Sequence, residues 1–155
     1  MKALKIIGTI AILALVVFIF AAPIGPVPGF FIGGHPTETP ERWMDTSGIH
    51  EIKLRVQGTL PRVVIIWVIE HADELHVLGA KDSQWISIIG QSAPVEARIM
   101  DNTYALRATL LTNGWEPVFK DYLDKYRPDY PKIVAGFPSV EEAEDSLAVY
   151  RLDRT

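Results

Sequence analysis

The stretch LPRVVIIWVIEHADELHVLGAKDSQWISIIGQSAPVEARIM, Leu60 to Met100, decides how this chain folds. From Val63 to Ile69 it is apolar at every position, which suits a central strand covered on both faces. His71-Ala72-Asp73 break the run, and ELHVLGA, Glu74 to Ala80, reads as the next strand of a hairpin. The period then changes. Trp85, Ile86, Ile88 and Ile89 share one helical face, with Asp82 or Ser83 to cap its start and Gly90 to end it. VEARIM, from Val95, alternates again as a half-buried strand.

The flanks extend the pattern. In EIKLRVQ, Ile52, Leu54 and Val56 alternate with Glu51, Lys53, Arg55 and Gln57, and Gly58-Thr59 with Pro61 form a turn. After a turn at Asp101-Asn102, TYALRATLL from Thr103 is a return strand. A second helix, Pro117 to Tyr126, puts Val118, Phe119, Tyr122 and Tyr126 on one stripe, and Pro128 stops it. Ser139 and Glu142 fit a capping box, and LAVYRL from Leu147 is a closing strand. The connections are hairpin-length, so the fold is mainly β (α+β). Five or six mostly antiparallel strands with two or three short helices should curl into a small barrel that hides its edges.

At the other end, IIGTIAILALVVFIFAAPI, Ile6 to Ile24, follows Lys2 and Lys5 without a charged side chain. About twenty apolar residues cross a bilayer as a helix. A signal peptide is the alternative reading. Against it, the core is long and Ile19 and Phe20 precede the small pair Ala21-Ala22. Residues 1–24 are therefore expected to be a transmembrane anchor, 25–40 a Pro/Gly-rich linker and 41–155 the barrel domain. Phe30, Phe31 and Ile32 either meet the membrane interface or pack on the domain, and Glu41 to Thr46 is expected as a short helix carrying Trp43 and Met44. The two lysines before the span favour an extracytoplasmic domain.

Composition narrows the chemistry. The whole chain carries −4, and setting aside Lys2 and Lys5 leaves the remainder at −6, the wrong sign for general nucleic-acid binding. There is no cysteine, which removes disulfides and thiolate chemistry. His35, His50, His71 and His76 lack metal-ligand spacing, so no metal site is expected, and His71 and His76 flank a turn where surface positions are expected.

On these residues the chain resembles the flavin-binding split-barrel superfamily, the pyridoxamine-phosphate-oxidase-like proteins. Within it, the likeness is greatest to the deazaflavin-dependent nitroreductase family. The features are Pro61-Arg62, the apolar strand from Val63 to Ile69, the strand from Glu74 that ends in the small residue Ala80, and the short helix with Trp85 after Lys81. The likeness covers about 100 residues, one of order and pattern with no invariant catalytic signature. The turn before Pro61-Arg62 is shorter and less basic than that family's pattern, and Asp82 adds a negative charge.

The resemblance implies FMN or a deazaflavin in a groove, shared between two barrels of a homodimer. It implies cofactor-binding roles for Arg62, Trp67, Ala80, Lys81, Ser83, Gln84 and Trp85, and no protein catalytic residue. The helix start at Ser83, Gln84 and Trp85 offers unpaired N–H groups to an anion, Lys81 adds charge and Arg62 a bidentate fork. The plainer alternatives are a capping Ser83, a solvated Lys81, a core Trp85 and a buried Trp67. A membrane-anchored reductase acting on a small hydrophobic acceptor, such as a quinone or nitro compound, follows from tether and cofactor together. A tethered split-barrel module that binds without turnover is the alternative.

Overall fold

The computed structural model describes residues 2–21 and 28–155, with side chains of the first helix described for 7–17. That helix, α1, runs Lys2–Ala21, and Ile7, Ile10, Ile12, Leu13, Leu15 and Val17 are exposed around it. Among the described residues no helix is long and apolar enough to cross a membrane. The expected span, Ile6 to Ile24, extends into residues outside the described ones.

Seven strands follow: β1 (His35–Pro36), β2 (Glu51–Val56), β3 (Arg62–His71), β4 (Glu74–Ala80), β5 (Ser92–Ile99), β6 (Asn102–Leu110) and β7 (Leu147–Arg154). They are ordered β1-β6-β5-β2-β3-β4-β7, and β6 also pairs with β7, so β2 to β7 close into a six-stranded antiparallel barrel. Closure leaves no long edge exposed. Ile52, Leu54, Val56, Leu75, Val77, Val95, Ala97, Leu106 and Leu152 point inward as the alternation requires.

Between β4 and β5, α2 (Gln84–Ile89) buries Trp85, Ile86 and Ile89 at the end of the barrel where β2 stops and β3 starts. Gly90, at φ 61°, ends it in the left-handed region that glycine tolerates. Helices α3 (Glu116–Tyr126), α4 (Pro131–Val134) and α5 (Val140–Ser146) form a second layer. Val118, Phe119, Tyr122 and Tyr126 of α3 pack with Ile69, Leu78 and Val149 of the barrel wall. This layer explains why β3 is apolar on both faces: Val68 faces the barrel and Ile69 the helices. The Ser139–Glu142 capping box forms as expected, each residue's side chain bonding the other's N–H.

Two expectations fail. Glu41 to Thr46 is not helical. It has bends at Glu41 and Arg42 and no regular structure after them, and it buries Trp43 edge-on against Tyr104 while Met44 stays exposed. His76 is buried rather than on the surface. It lies on the outer face of β4, opposite Ile69 and Arg151, where the helical layer covers it. The described part of the Pro/Gly-rich segment is a strap on the barrel. Gly29 exchanges two backbone hydrogen bonds with Val63, Ile32 is buried, and β1 runs parallel to β6.

Candidate functional site

The wall of the barrel opens between β3 and β4. The register of β3 with β4 begins only at Val68, because β4 turns away into α2. Residues 64–67 of β3 therefore have no strand partner on that edge, and the Gly29–Val63 bridge closes it below. Hydrogen-bonding direction alternates along a strand, so the N–H and C=O of Ile65 turn to the open edge as those of Val63 turn to Gly29.

The opening is a cleft of ≈ 290 Å³ lined by Pro28, Arg62, Val64, Ile65, Ile66, Ser83, Gln84 and Trp85. Arg62 Nη1 donates to Gln84 Oε1 at 2.5 Å, joining the start of β3 to the start of α2 across its mouth. Nε of Arg62 is buried and has no partner among the described residues. A buried donor without an acceptor is costly, so it calls for a ligand oxygen. Trp85 is wedged against Gly79, where an added Cβ would lie 2.3 Å from the indole Cζ2. The absence of a side chain at 79 thus sets where the indole sits.

Of the residues implied by the resemblance, Arg62, Ser83, Gln84 and Trp85 converge on this cleft. Lys81 does not. Its Nζ donates to the Glu144 carbonyl and lines a separate hollow of ≈ 200 Å³ with Leu111, Trp115 and Leu147. Ala80 pairs with Leu147 at the end of β4. Trp67 lies on the other face of β3, stacked on Tyr126. Ser83 makes no side-chain cap, although its carbonyl accepts from the Ser87 N–H, and α2 has only six residues. Pro28, Val64, Ile65 and Ile66 line the cleft and are not in that set. Pro28 arrives through the strap, and Ile65 contributes backbone, which carries no residue-type signal.

No family model matches the chain, and no curated protein matches it. Among solved structures, an FAD and heme binding protein from Mycobacterium smegmatis superposes with a TM-score of 0.50 at 13% identity, over 70% of this chain and 62% of that one. The chain folds as a split barrel. The match spans less than two thirds of the Mycobacterium smegmatis chain, and at that identity the likeness concerns fold alone. A NimC/NimA family protein from Clostridium acetobutylicum has a TM-score of 0.49 at 18% identity, over 66% of this chain and 73% of that one. A structure described as an F420 reductase has a TM-score of 0.45 at 14% identity, over 76% and 96%.

A flavin-type group fits this split barrel in part. The open edge at Ile65 offers a donor and an acceptor to a planar heterocycle, Trp85 an aromatic wall, and Arg62 a cation with a free donor. Lys81, turned to Glu144, lies outside the cleft and leaves Arg62 as the only cation among its lining residues.

Proposed function

We propose that this chain is a membrane-tethered flavin- or deazaflavin-dependent oxidoreductase that passes hydride to a small hydrophobic acceptor such as a quinone or nitro compound. The observation that carries the reading is the unpaired edge of β3 facing Arg62, Gln84 and Trp85, with the orphaned Nε of Arg62 beside it. When bound, the cofactor supplies hydride exchange through its ring. The protein would hold and orient it: the Ile65 backbone would offer a donor and an acceptor to the ring, Arg62 would pair with an anionic or carbonyl oxygen, and Gln84 keeps the guanidinium in place.

The tether is residues 1–24. The exposed apolar side chains on every side of α1 support it, because a helix apolar all round needs lipid or protein as its surroundings. Lys2 and Lys5 favour an extracytoplasmic barrel, whereas a deazaflavin pool is cytoplasmic. C-terminal reporter fusions decide between these. A homodimer, with the cleft shared between two barrels, is the assembly proposed.

One observation favours a second reading, a tethered module that binds without turnover: a single arginine is a weak grip on a cofactor phosphate. Absorption spectra of the detergent-purified full chain and titration with FMN and with reduced deazaflavin test cofactor binding, and reduction of an added quinone by the loaded protein separates the two readings. The oxidoreductase reading expects binding that Arg62→Ala weakens about tenfold, the loss of a charge-assisted hydrogen bond, and that Lys81→Ala leaves unchanged. No chromophore and no binding of either cofactor would sink it.

A further inference from the structure

A second hollow adjoins the cleft. It is lined by Pro28, Gly29, Phe30, Leu60, Pro61, Arg62, Gln84 and Ile88, and shares Pro28, Arg62 and Gln84 with the cleft. Its rim is apolar and open to solvent: Phe30 is 48% exposed and Leu60 68%, and beside Phe30, Phe31 is 68% exposed. None of the residues lining either hollow is acidic. Phe30 and Leu60 flank this groove, and Phe31 lines a separate hollow with Ile32 and Gly33. Three exposed large apolar side chains so close along the strap and the turn before β3 are costly in water and suited to the interfacial zone of a bilayer.

Connectivity says what covers them. Only residues 22–27 separate Ala21, the last residue of α1, from Pro28, which lines both hollows, and six residues reach at most about 25 Å. Gly29 is fixed to the start of β3 by bonds of 2.7 and 3.0 Å, so the strap keeps this rim within that reach of the anchor.

We propose that Phe30, Phe31 and Leu60 form a lip seated in the bilayer interface, and that the groove beneath them is a lateral port from lipid to the Arg62–Gln84 cleft. The inference rests on the tether reading and adds the orientation of the barrel to it.

The chain has no cysteine, so single labels are clean. Full-length Leu13→Cys, Phe31→Cys, Leu60→Cys and Ile133→Cys, each carrying an environment-sensitive fluorophore, are reconstituted in phosphatidylcholine–phosphatidylglycerol vesicles containing spin-labelled lipid. All four side chains are exposed, so each variant should fold, and Ile133 on α4 is the control, in the layer over the other end of β3. The lip predicts a blue shift and at least twofold quenching at 31 and 60, with 133 unaffected. Quenching at 13 with 31 and 60 behaving like 133 overturns the lip and leaves the tether standing. No quenching at 13, 31 or 60 overturns both. Quenching at 31 and 60 without 13 keeps the lip and removes the tether.

Discussion

The indole of Trp67 lies flat on the phenol ring of Tyr126, with centroids 4.1 Å apart and planes 10° from parallel. The Tyr126 hydroxyl in turn donates to the His50 and Val68 carbonyls, at 2.6 and 2.7 Å, and receives the Val68 N–H. The pair bolts α3 to β3 and ties the segment before β2 to both. Burial pushes the Tyr126 hydroxyl pKa up, so it stays a neutral donor. Trp67→Ala should therefore cost about 3–5 kcal/mol of stability and leave cofactor affinity untouched, whereas Trp67→Phe keeps much of the stack. Chemical denaturation beside a cofactor titration checks both halves; an affinity loss in a folded Trp67→Ala would put this ring back in the site.

Lys125 closes the same corner from below. Its ammonium donates to the carbonyls of Thr46, Ile49 and Val68 at 2.8–3.0 Å, using all three of its hydrogens. Lys125→Met removes a donor from each carbonyl, although Val68 keeps the Tyr126 hydroxyl and Thr46 the Ile49 N–H, and should destabilise by about 1–3 kcal/mol and loosen residues 43–50. Amide exchange should show faster opening in that segment, with the barrel strands protected to the global limit.

Gly79→Ala tests the seat of Trp85. The new methyl would meet Cζ2, Cε2 and the Ile86 Cδ1 at 2.3–3.2 Å, so the indole must move into the cleft or α2 must shift. A cost of about 1–3 kcal/mol is expected, with a fall in affinity for any ring held against Trp85. Thermal melts and the FMN titration on one sample separate the two effects.

His76 makes stability depend on acid. It is 4% exposed, and burial lowers its pKa from 6.5 to about 4, aided by the neighbouring His71 and Arg151 and opposed by Glu74 and Asp153. Below pH 6.5 the unfolded chain takes up a proton that the folded chain refuses. Stability from this group therefore falls as pH drops from 6.5 to about 4 and is constant above 6.5, a loss of up to about 3 kcal/mol. Denaturation midpoints of His76→Leu across that window should show a correspondingly flatter slope.

Much of this was legible because periodicity is local. The alternation in Glu51–Val56, the both-sided apolar run of β3, the helical face around Trp85 and the capping box at Ser139 each report the environment of their own residues. The antiparallel barrel followed from the short connections and the chain order of elements, whereas the neighbours β2–β5, β4–β7 and β6–β7 did not. The family resemblance, not residue type alone, singled out Arg62, Gln84 and Trp85, which the fold brings to one cleft.

Tertiary structure alone decided the rest, because these are relations between positions far apart in the chain. Lys81 lies three residues from Gln84 yet points to Glu144, since β4 pairs with β7 there. Trp67 and Val68 share a strand and face opposite layers, and only the docking of α3 shows which layer wants an indole. The cleft itself is a gap in strand pairing, set by where β4 diverges from β3 and by Gly29 returning to Val63. Hydrogen bonds that a backbone does not make leave no trace in its sequence.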